Sequence, residues 1–89
     1  MRSLQITYSR TAVKAIANLD RNIKQRIKSS IEGLIEVPPK GDIKQMHGSN
    51  PLLYRLRIGK YRVLYEYVII DGEQVLMIKD MGSRGDIYK

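Results

Sequence analysis

The strongest structural signal in this chain lies near its middle, in Tyr54-Arg55-Leu56-Arg57-Ile58-Gly59-Lys60-Tyr61-Arg62-Val63-Leu64-Tyr65. Two alternating runs flank Gly59-Lys60, and glycine suits the first central position of a type II′ turn, so the stretch predicts a β-hairpin. Counting outward from the turn predicts four facing pairs: Ile58 with Tyr61, Arg57 with Arg62, Leu56 with Val63, and Arg55 with Leu64. Because successive strand side chains point to opposite faces, one face is apolar and aromatic. Its members are Tyr54, Leu56, Ile58, Tyr61, Val63 and Tyr65.

The opposite face of this hairpin carries three arginines, Arg55, Arg57 and Arg62. Like charges directly opposite each other weaken a sheet, so a purely structural hairpin gains nothing from facing Arg57 with Arg62. Two interpretations stay open at this point. The surface is either a solvated basic face, or three guanidiniums held on one rigid surface to bind phosphate groups.

The composition limits the class of protein. With 89 residues and 43% hydrophobic side chains, the chain predicts one folded domain over residues 1–89. The absence of cysteine excludes disulfides and cysteine-based metal sites, and His47 is the sole histidine. No apolar run approaches the ~20 residues that cross a membrane, and the N-terminus lacks the apolar centre of a signal peptide. We therefore expect a soluble cytoplasmic protein with no membrane partner.

The charge balance points to a polyanionic partner. The formal net charge is +7 at pH 7, and the pI is near 9.9. A nucleic acid is the simplest such partner, and an acidic protein is the alternative. Charge alone does not choose between them.

The elements before the hairpin follow from periodicity and capping signals. Residues 4–8 alternate and predict a first strand, and Ser9 is a suitable N-cap for a helix to about Asn18. Asp20 can cap a second amphipathic helix over about residues 21–36, which Pro38-Pro39 ends. The stretch from Lys40 to about Pro51 is predicted as a polar connection.

A second hairpin is predicted around Asp71-Gly72, a strong type I′ turn signal. Counting outward pairs Val68 with Val75, Tyr67 with Leu76, Tyr65 with Ile78, Leu64 with Lys79, and Arg62 with Met81. Lys79 then falls on the same face as the three arginines. The predicted order is β-α-α-β-β-β, an α+β fold in which two N-terminal helices pack on one face of an antiparallel sheet.

Taken together, these motifs resemble the RelE/ParE toxin superfamily over nearly the whole chain. The resemblance rests on the helix pair ending in proline, on Tyr-Arg-Leu-Arg-x-Gly-x-Tyr-Arg-Val-x-Tyr at residues 54–65, and on Gly-Ser-Arg-Gly-Asp-Ile-Tyr at residues 82–88. The closing motif is more similar to the RelE branch than to the gyrase-directed ParE branch. RelE-type toxins are ribosome-dependent mRNA endonucleases that an antitoxin holds inactive.

The resemblance implies a set of site residues. The family's basic pair before the hairpin turn falls on Arg55 and Arg57, its arginine after the turn on Arg62, its arginine after the last strand on Arg84, and its C-terminal tyrosine on Tyr88. These five are the implied catalytic residues. We expect further contacts with RNA from Lys79, Lys60 and Ser83, and neither a metal ion nor another cofactor.

The chemistry of RNA cleavage explains why guanidiniums suit such a site. Attack of the 2′-hydroxyl on the adjacent phosphorus builds negative charge, and guanidiniums bind phosphate oxygens through paired hydrogen bonds. Some relatives carry lysine where this chain has Arg55 and Arg57, and arginine does not readily give up a proton. Lys79 ranks above Tyr65 as an alternative base, because Tyr65 counts to the core face. We expect a loop or packing role for His47. We expect Asp86 to order the C-terminal turn or to pair with an arginine.

The resemblance leaves three alternative functions open and predicts one protein partner. The leading function is a ribosome-dependent mRNA endonuclease; the alternatives are a ParE-like inhibitor of DNA gyrase and a degenerate toxin that only binds its antitoxin. We expect a monomer that forms a hetero-oligomer with an acidic antitoxin. That antitoxin is expected to cover the apolar side chains on the arginine-bearing face, which are Leu64, Val68, Met77 and Met81.

Overall fold

The computed structural model of the protein describes residues 4–46, 48 and 52–83. Within these residues, two α-helices and a short 3-10 helix accompany a single five-stranded sheet. In chain order the elements are β1 (Gln5–Tyr8), α1 (Arg10–Ala17), α2 (Arg21–Glu32), the 3-10 helix (Gly33–Ile35), β2 (Asp42–Met46), β3 (Leu53–Ile58), β4 (Tyr61–Ile70) and β5 (Glu73–Ser83). None of the helices in this described part is long and apolar enough to span a bilayer.

Both helices begin at the residues that the sequence predicts as caps. The Ser9 side-chain oxygen accepts a hydrogen bond from the Ala12 amide at 3.0 Å, and an Asp20 carboxylate oxygen accepts one from the Ile23 amide, also at 3.0 Å. Each cap satisfies an amide that has no partner within the helix, which stabilises the helix by about 0.5–2 kcal/mol. The second helix ends at Glu32, earlier than predicted, and continues as the tighter 3-10 helix.

The sheet confirms the predicted α+β class and adds a parallel pair at one edge. The strand order is β1-β5-β4-β3-β2, and β1 runs parallel to β5 while the other neighbouring pairs are antiparallel. Ser9, directly after β1, ties this edge to β5 because its amide donates to the Ile78 carbonyl at 2.9 Å. A pairing between the two ends of the chain leaves no local signal in the sequence.

The predicted polar connection after the second helix is wrong in part, because residues Asp42–Met46 form the edge strand β2. This strand pairs with β3 over its whole length. Only Ile43 among its residues packs against the core cluster, so the strand lacks the alternation that would identify it. The difference matters for function because it brings Asp42 and Lys44 beside the arginine-bearing strand.

The register of the first hairpin is confirmed at every predicted pair. The second hairpin has the predicted pairs near its turn, but a β-bulge beside Leu64 and Tyr65 shifts the rest by one residue. Leu64 therefore pairs with Asp80, not Lys79, and Arg62 pairs with Gly82, not Met81. A β-bulge inserts one extra residue into one strand, and the residues of the turn do not predict where it occurs.

The core lies between the two helices and one face of the sheet. Its buried helix residues are Ala12, Ile16, Ile27 and Ile31, joined by Leu34 of the 3-10 helix. Its buried strand residues are Leu56, Ile58, Val63, Tyr65, Leu76, Ile78 and Met81. The bulge turns Met81 into this core at 5% exposure, so its predicted place on the arginine-bearing face is wrong. The helices thus cover one face, and we call the opposite one the open face.

Candidate nucleic-acid interface

Three arginines share the open face of the sheet, as the hairpin count predicts. Arg57 on β3 lies directly opposite Arg62 on β4, and Arg55 follows two residues from Arg57 on the same strand. Their neighbours Leu56, Ile58 and Val63 point into the core, so strand alternation fixes the arginines on the other face. We call Arg55, Arg57 and Arg62 the arginine patch.

The edge strand β2 extends the arginine patch with one acidic and one basic residue. Asp42 pairs with Arg57 and Lys44 pairs with Arg55, so both lie on the open face. The Asp42 carboxylate has one oxygen 3.1 Å from Nε of Arg57 and the other 3.7 Å from a terminal nitrogen of Arg55. A single carboxylate therefore lies among several cations, and the site as a whole stays positively charged.

The arginines differ in how far they reach into solvent. The Arg55 side chain is 16% exposed, and its Nε is buried with no hydrogen-bond partner among the described residues. The Arg57 side chain is 51% exposed, and Arg62 is half-buried. Covered side chains lose less freedom when they bind a ligand, so Arg55 is held in place beforehand while Arg57 is the more accessible.

The predicted RNA contact Lys79 lies on the open face but is engaged in an ion pair. Its Nζ lies 3.2 Å from a carboxylate oxygen of Glu66, whose side chain is only 8% exposed. Glu66 falls two residues after Leu64 on β4 and so shares the face of Arg62. An ammonium held by a carboxylate acts as a cation and a hydrogen-bond donor, which suits phosphate binding better than proton abstraction.

Tyr65, the other predicted base candidate, belongs to the core as its strand position predicts. It is 1% exposed and stacks on Tyr54 with ring centroids 5.4 Å apart. Tyr67 meets Tyr65 edge-on at 5.9 Å. Burial, the largest cause, and the neighbouring tyrosines raise the pKa of Tyr65, which opposes loss of its proton at neutral pH. Tyr65 therefore stabilises the fold and does not reach the arginine patch.

The remaining predicted site residues fall at the turn, at the end of β5, or outside the described residues. Lys60 is exposed in the hairpin turn, with Nζ 5.5 Å from the Tyr61 ring centroid. Ser83 ends β5 opposite Tyr61, one residue beyond the partner of Arg62. The last described part of β5 therefore reaches the arginine patch. Four predicted residues lie outside the described part of the chain: His47, Arg84, Asp86 and Tyr88.

Sequence reasoning missed the two acidic residues of the open face that form ion pairs with its cations, Asp42 and Glu66. The position of Glu66 could have been predicted, since the hairpin count places every second residue after Arg62 on the arginine-bearing face. The position of Asp42 could not have been predicted, because its strand carries too few core-facing apolar residues to be recognised as a strand. Both acids contact cations that the sequence did single out.

This chain is similar to toxins of type II toxin–antitoxin systems in sequence and in fold. Residues 6–88 match the family described as ParE toxin of type II toxin-antitoxin system, parDE. The toxin RelE1 of Methanocaldococcus jannaschii is 34% identical over an alignment of 80 residues, and the match covers 86% of this chain and 86% of that protein.

Solved structures of RelE toxins share the architecture. A chain of the RelE–RelB complex from Pyrococcus horikoshii OT3 has a TM-score of 0.73 at 26% identity, covering 96% of this chain and 99% of that one. The isolated Escherichia coli RelE toxin has a TM-score of 0.72 at 19% identity, covering 97% and 89%. At that identity, the second likeness concerns the fold alone.

Proposed function

This chain belongs to the RelE/ParE superfamily of toxins from type II toxin–antitoxin systems, and we propose that it is a ribosome-dependent mRNA endonuclease that blocks translation. The observation that carries the proposal is the rung of β3 and β4 on which Arg57 directly faces Arg62. Like charges that face each other weaken a sheet, and an anion that binds both of them offsets that cost. Because the proposed targets are ribosomes and mRNA, we propose that the protein acts in the cytoplasm.

The proposed reaction is attack of a ribose 2′-hydroxyl on the adjacent phosphorus, without a metal ion. The O2′–P bond forms as the P–O5′ bond breaks, which leaves a 2′,3′-cyclic phosphate and a 5′-hydroxyl. Negative charge grows on the non-bridging oxygens in the transition state. Guanidiniums of the arginine patch, already fixed by the sheet, stabilise that charge without having to reorganise.

The other proposed contacts follow from the family resemblance and from position. Arg84 adds a further cation, and Tyr88 stacks on a nucleobase, a contact that contributes ~1–3 kcal/mol with little base preference. Lys79, Lys60 and Ser83 contact RNA outside the reacting phosphate. Lys60 is exposed at the hairpin turn, and Lys79 lies on the open face in its ion pair with Glu66.

We also propose an acidic antitoxin as the partner that silences the protein. The related P. horikoshii chain was solved as a RelE–RelB complex. On the open face of this chain, cations lie beside half-buried apolar residues, namely Leu64, Val68 and Met77. An acidic amphipathic segment that folds on binding is suited to cover both kinds of side chain. The protein alone is then a monomer and the silenced form is a hetero-oligomer.

A gyrase-directed function is the second candidate, because the family match carries the ParE description. A ParE-like protein would inhibit DNA gyrase by protein contact and would leave RNA intact. A degenerate toxin that only binds its antitoxin would do neither. The three possibilities therefore differ in what happens to mRNA and to DNA supercoiling.

One experiment separates these functions. A reporter mRNA is translated in a purified system with and without the protein, and the 5′ ends are mapped against the reading frame. Cuts in phase with codons, and only when ribosomes are present, support the endonuclease. Intact mRNA together with loss of gyrase supercoiling supports the second candidate, and no effect in either assay indicates a degenerate toxin.

A further inference from the structure

RNA cleavage by 2′-hydroxyl attack needs a group that takes the hydroxyl proton, and the predicted candidates do not supply one. Arg55 and Arg57 keep their protons in proteins. Tyr65 is buried in the core at 1% exposure, and Lys79 is engaged with Glu66 at 3.2 Å. Within residues 4–46, 48 and 52–83, the arginine patch therefore needs another residue as its proton acceptor.

Three acidic residues of the described strands lie on the open face at this end of the sheet: Asp42, Glu66 and Asp80. Glu66 is only 8% exposed and is paired with Lys79. Asp80 accepts a hydrogen bond from the Met81 amide at 2.7 Å, within the bulge that it helps to form. Asp42 is ion-paired as well, to Arg57 at 3.1 Å, but 53% of its side chain is exposed and its partner belongs to the arginine patch.

Four cations lie near Asp42 on the open face. Arg57 and Arg55 face it from β3, Arg62 lies beyond Arg57 on β4, and Lys44 follows on its own strand. No described strand pairs with the outer edge of β2, so that side of the carboxylate is open to a ligand. A phosphate held by the arginines would bring its own ribose within reach of this carboxylate.

We propose that Asp42 accepts the proton of the attacking 2′-hydroxyl, an inference that rests on the proposed function. An oxygen of the Asp42 carboxylate takes the proton as the O2′–P bond forms. The electron pair of the P–O5′ bond leaves with O5′, which takes a proton from water. The hydroxide so formed removes the proton from Asp42, so the carboxylate is regenerated. Arg57 then has two tasks, since it orients the carboxylate and binds the phosphate.

A purely positioning role for Asp42 predicts a different result from a proton-accepting role. If Asp42 only holds Arg57 in place, its removal weakens phosphate binding and leaves the pH dependence unchanged. If it takes the proton, its removal leaves solvent hydroxide as the acceptor. The cleavage rate of the variant must then follow hydroxide concentration, which is the property to measure.

The test uses single-turnover cleavage of mRNA on programmed ribosomes at saturating protein, between pH 6.5 and 8.5. We expect Asp42→Asn to slow cleavage by about 10²–10⁴-fold, the range for loss of a general base. Its rate should rise by about tenfold per pH unit, more steeply than that of the unmodified protein, as hydroxide replaces the carboxylate. Asp42→Glu, which keeps a carboxylate, should restore the shallower pH slope and part of the rate.

Glu32→Gln is the matched control. Glu32 is also an exposed carboxylate, but its charge acts on Tyr8 of β1, the strand at the opposite edge of the sheet from β2. Its removal should leave rate and slope unchanged. Exposed ion pairs contribute little to stability, so the variants should fold, and thermal unfolding checks this.

Two kinds of result would contradict the proposed role of Asp42. If Asp42→Asn cleaves within about threefold of the unmodified protein, or is slower with an unchanged pH slope, the proton-accepting role is overturned while the nuclease stands. If the unmodified protein leaves ribosome-bound mRNA intact, the proposed function itself fails, and the role of Asp42 fails with it.

Discussion

Arg57 and Arg62 face each other across β3 and β4, on the face of the sheet that the helices leave open. Asp42 is the third member of the same rung, and its carboxylate lies 3.1 Å from Nε of Arg57. This carboxylate offsets part of the repulsion between the two arginines. Excess positive charge at fixed positions is unfavourable for an empty sheet and favourable for one that binds a phosphate.

Removal of Arg62 should abolish most of the activity and spare the fold. We expect Arg62→Ala to slow ribosome-dependent mRNA cleavage by about 10²–10³-fold, the loss for one oriented transition-state donor. Because Arg62 lies on the open face, the free energy of unfolding should change by about 1 kcal/mol or less. Arg21→Ala removes the same charge from the exposed first turn of α2 and should keep near-normal cleavage. Full activity in a folded Arg62→Ala variant would mean that the patch is not the site.

Binding to the ribosome should weaken steeply as salt rises. Several cations of the open face would displace counterions from RNA phosphates, so the logarithm of the association constant should fall linearly with the logarithm of salt concentration. We expect Arg57→Ala, which removes an accessible cation, to reduce that slope by about one unit. The measurement is sedimentation with ribosomes at several potassium chloride concentrations and constant magnesium. An affinity that does not respond to salt would favour a protein target such as gyrase.

Gly41, directly before β2, should be intolerant of a side chain. Its φ is +126°, and a Cβ there would lie 2.5 Å from Cδ1 of the buried Leu56. We expect Gly41→Ala to lower the free energy of unfolding by about 1–3 kcal/mol, because it combines backbone strain with overpacking.

Gly72→Ala is the matched control for this prediction. Gly72 also has a positive φ, +79°, but a Cβ at this position would meet no atom within 4 Å beyond its chain neighbours. The control should lose about 1 kcal/mol from backbone strain alone. Urea unfolding of both variants gives the comparison, and equal losses would show that the contact with Leu56 is unimportant.

The antitoxin should bind across the open face. We expect the protein to co-purify from its host with an acidic partner, and Leu64→Glu to weaken that complex by about tenfold or more through charge placed in an apolar contact. Ile69→Glu, at an exposed position near the β4–β5 turn, should leave affinity unchanged. Titration calorimetry with the purified partner measures both. Recovery of the protein alone, soluble and harmless when overproduced, would argue against both the toxin and the partner.

The parts of the fold that sequence predicted correctly are those governed by local chemistry. Glycine at residue 59 has the positive φ that a type II′ turn needs, and Asp71 and Gly72 both have the positive φ of a type I′ turn. Turns of defined geometry set the register of the strands that they join. The starts of the two helices also depend on local chemistry, since the side chains of Ser9 and Asp20 each accept a hydrogen bond from an amide three residues ahead.

The parts that sequence did not predict depend on contacts between distant segments. The parallel pairing of β1 with β5 joins residues about seventy positions apart, and β2 becomes a strand only because β3 offers it an unpaired edge. The bulge beside Leu64 lets Met81 enter the core. This change depends on packing within the core and cannot be predicted from the residues of the turn.

The same division holds for the candidate site. Strand alternation and one glycine turn suffice to place Arg55, Arg57 and Arg62 on one face, so their arrangement can be predicted from sequence. Which acids contact these cations depends on the tertiary fold. Asp42 reaches Arg57 through an edge strand too weakly patterned to predict, and Lys79 meets Glu66 where the bulge breaks the simple count. Alternation is a property of a single strand, whereas ion pairs across strands depend on a register that the whole sheet sets.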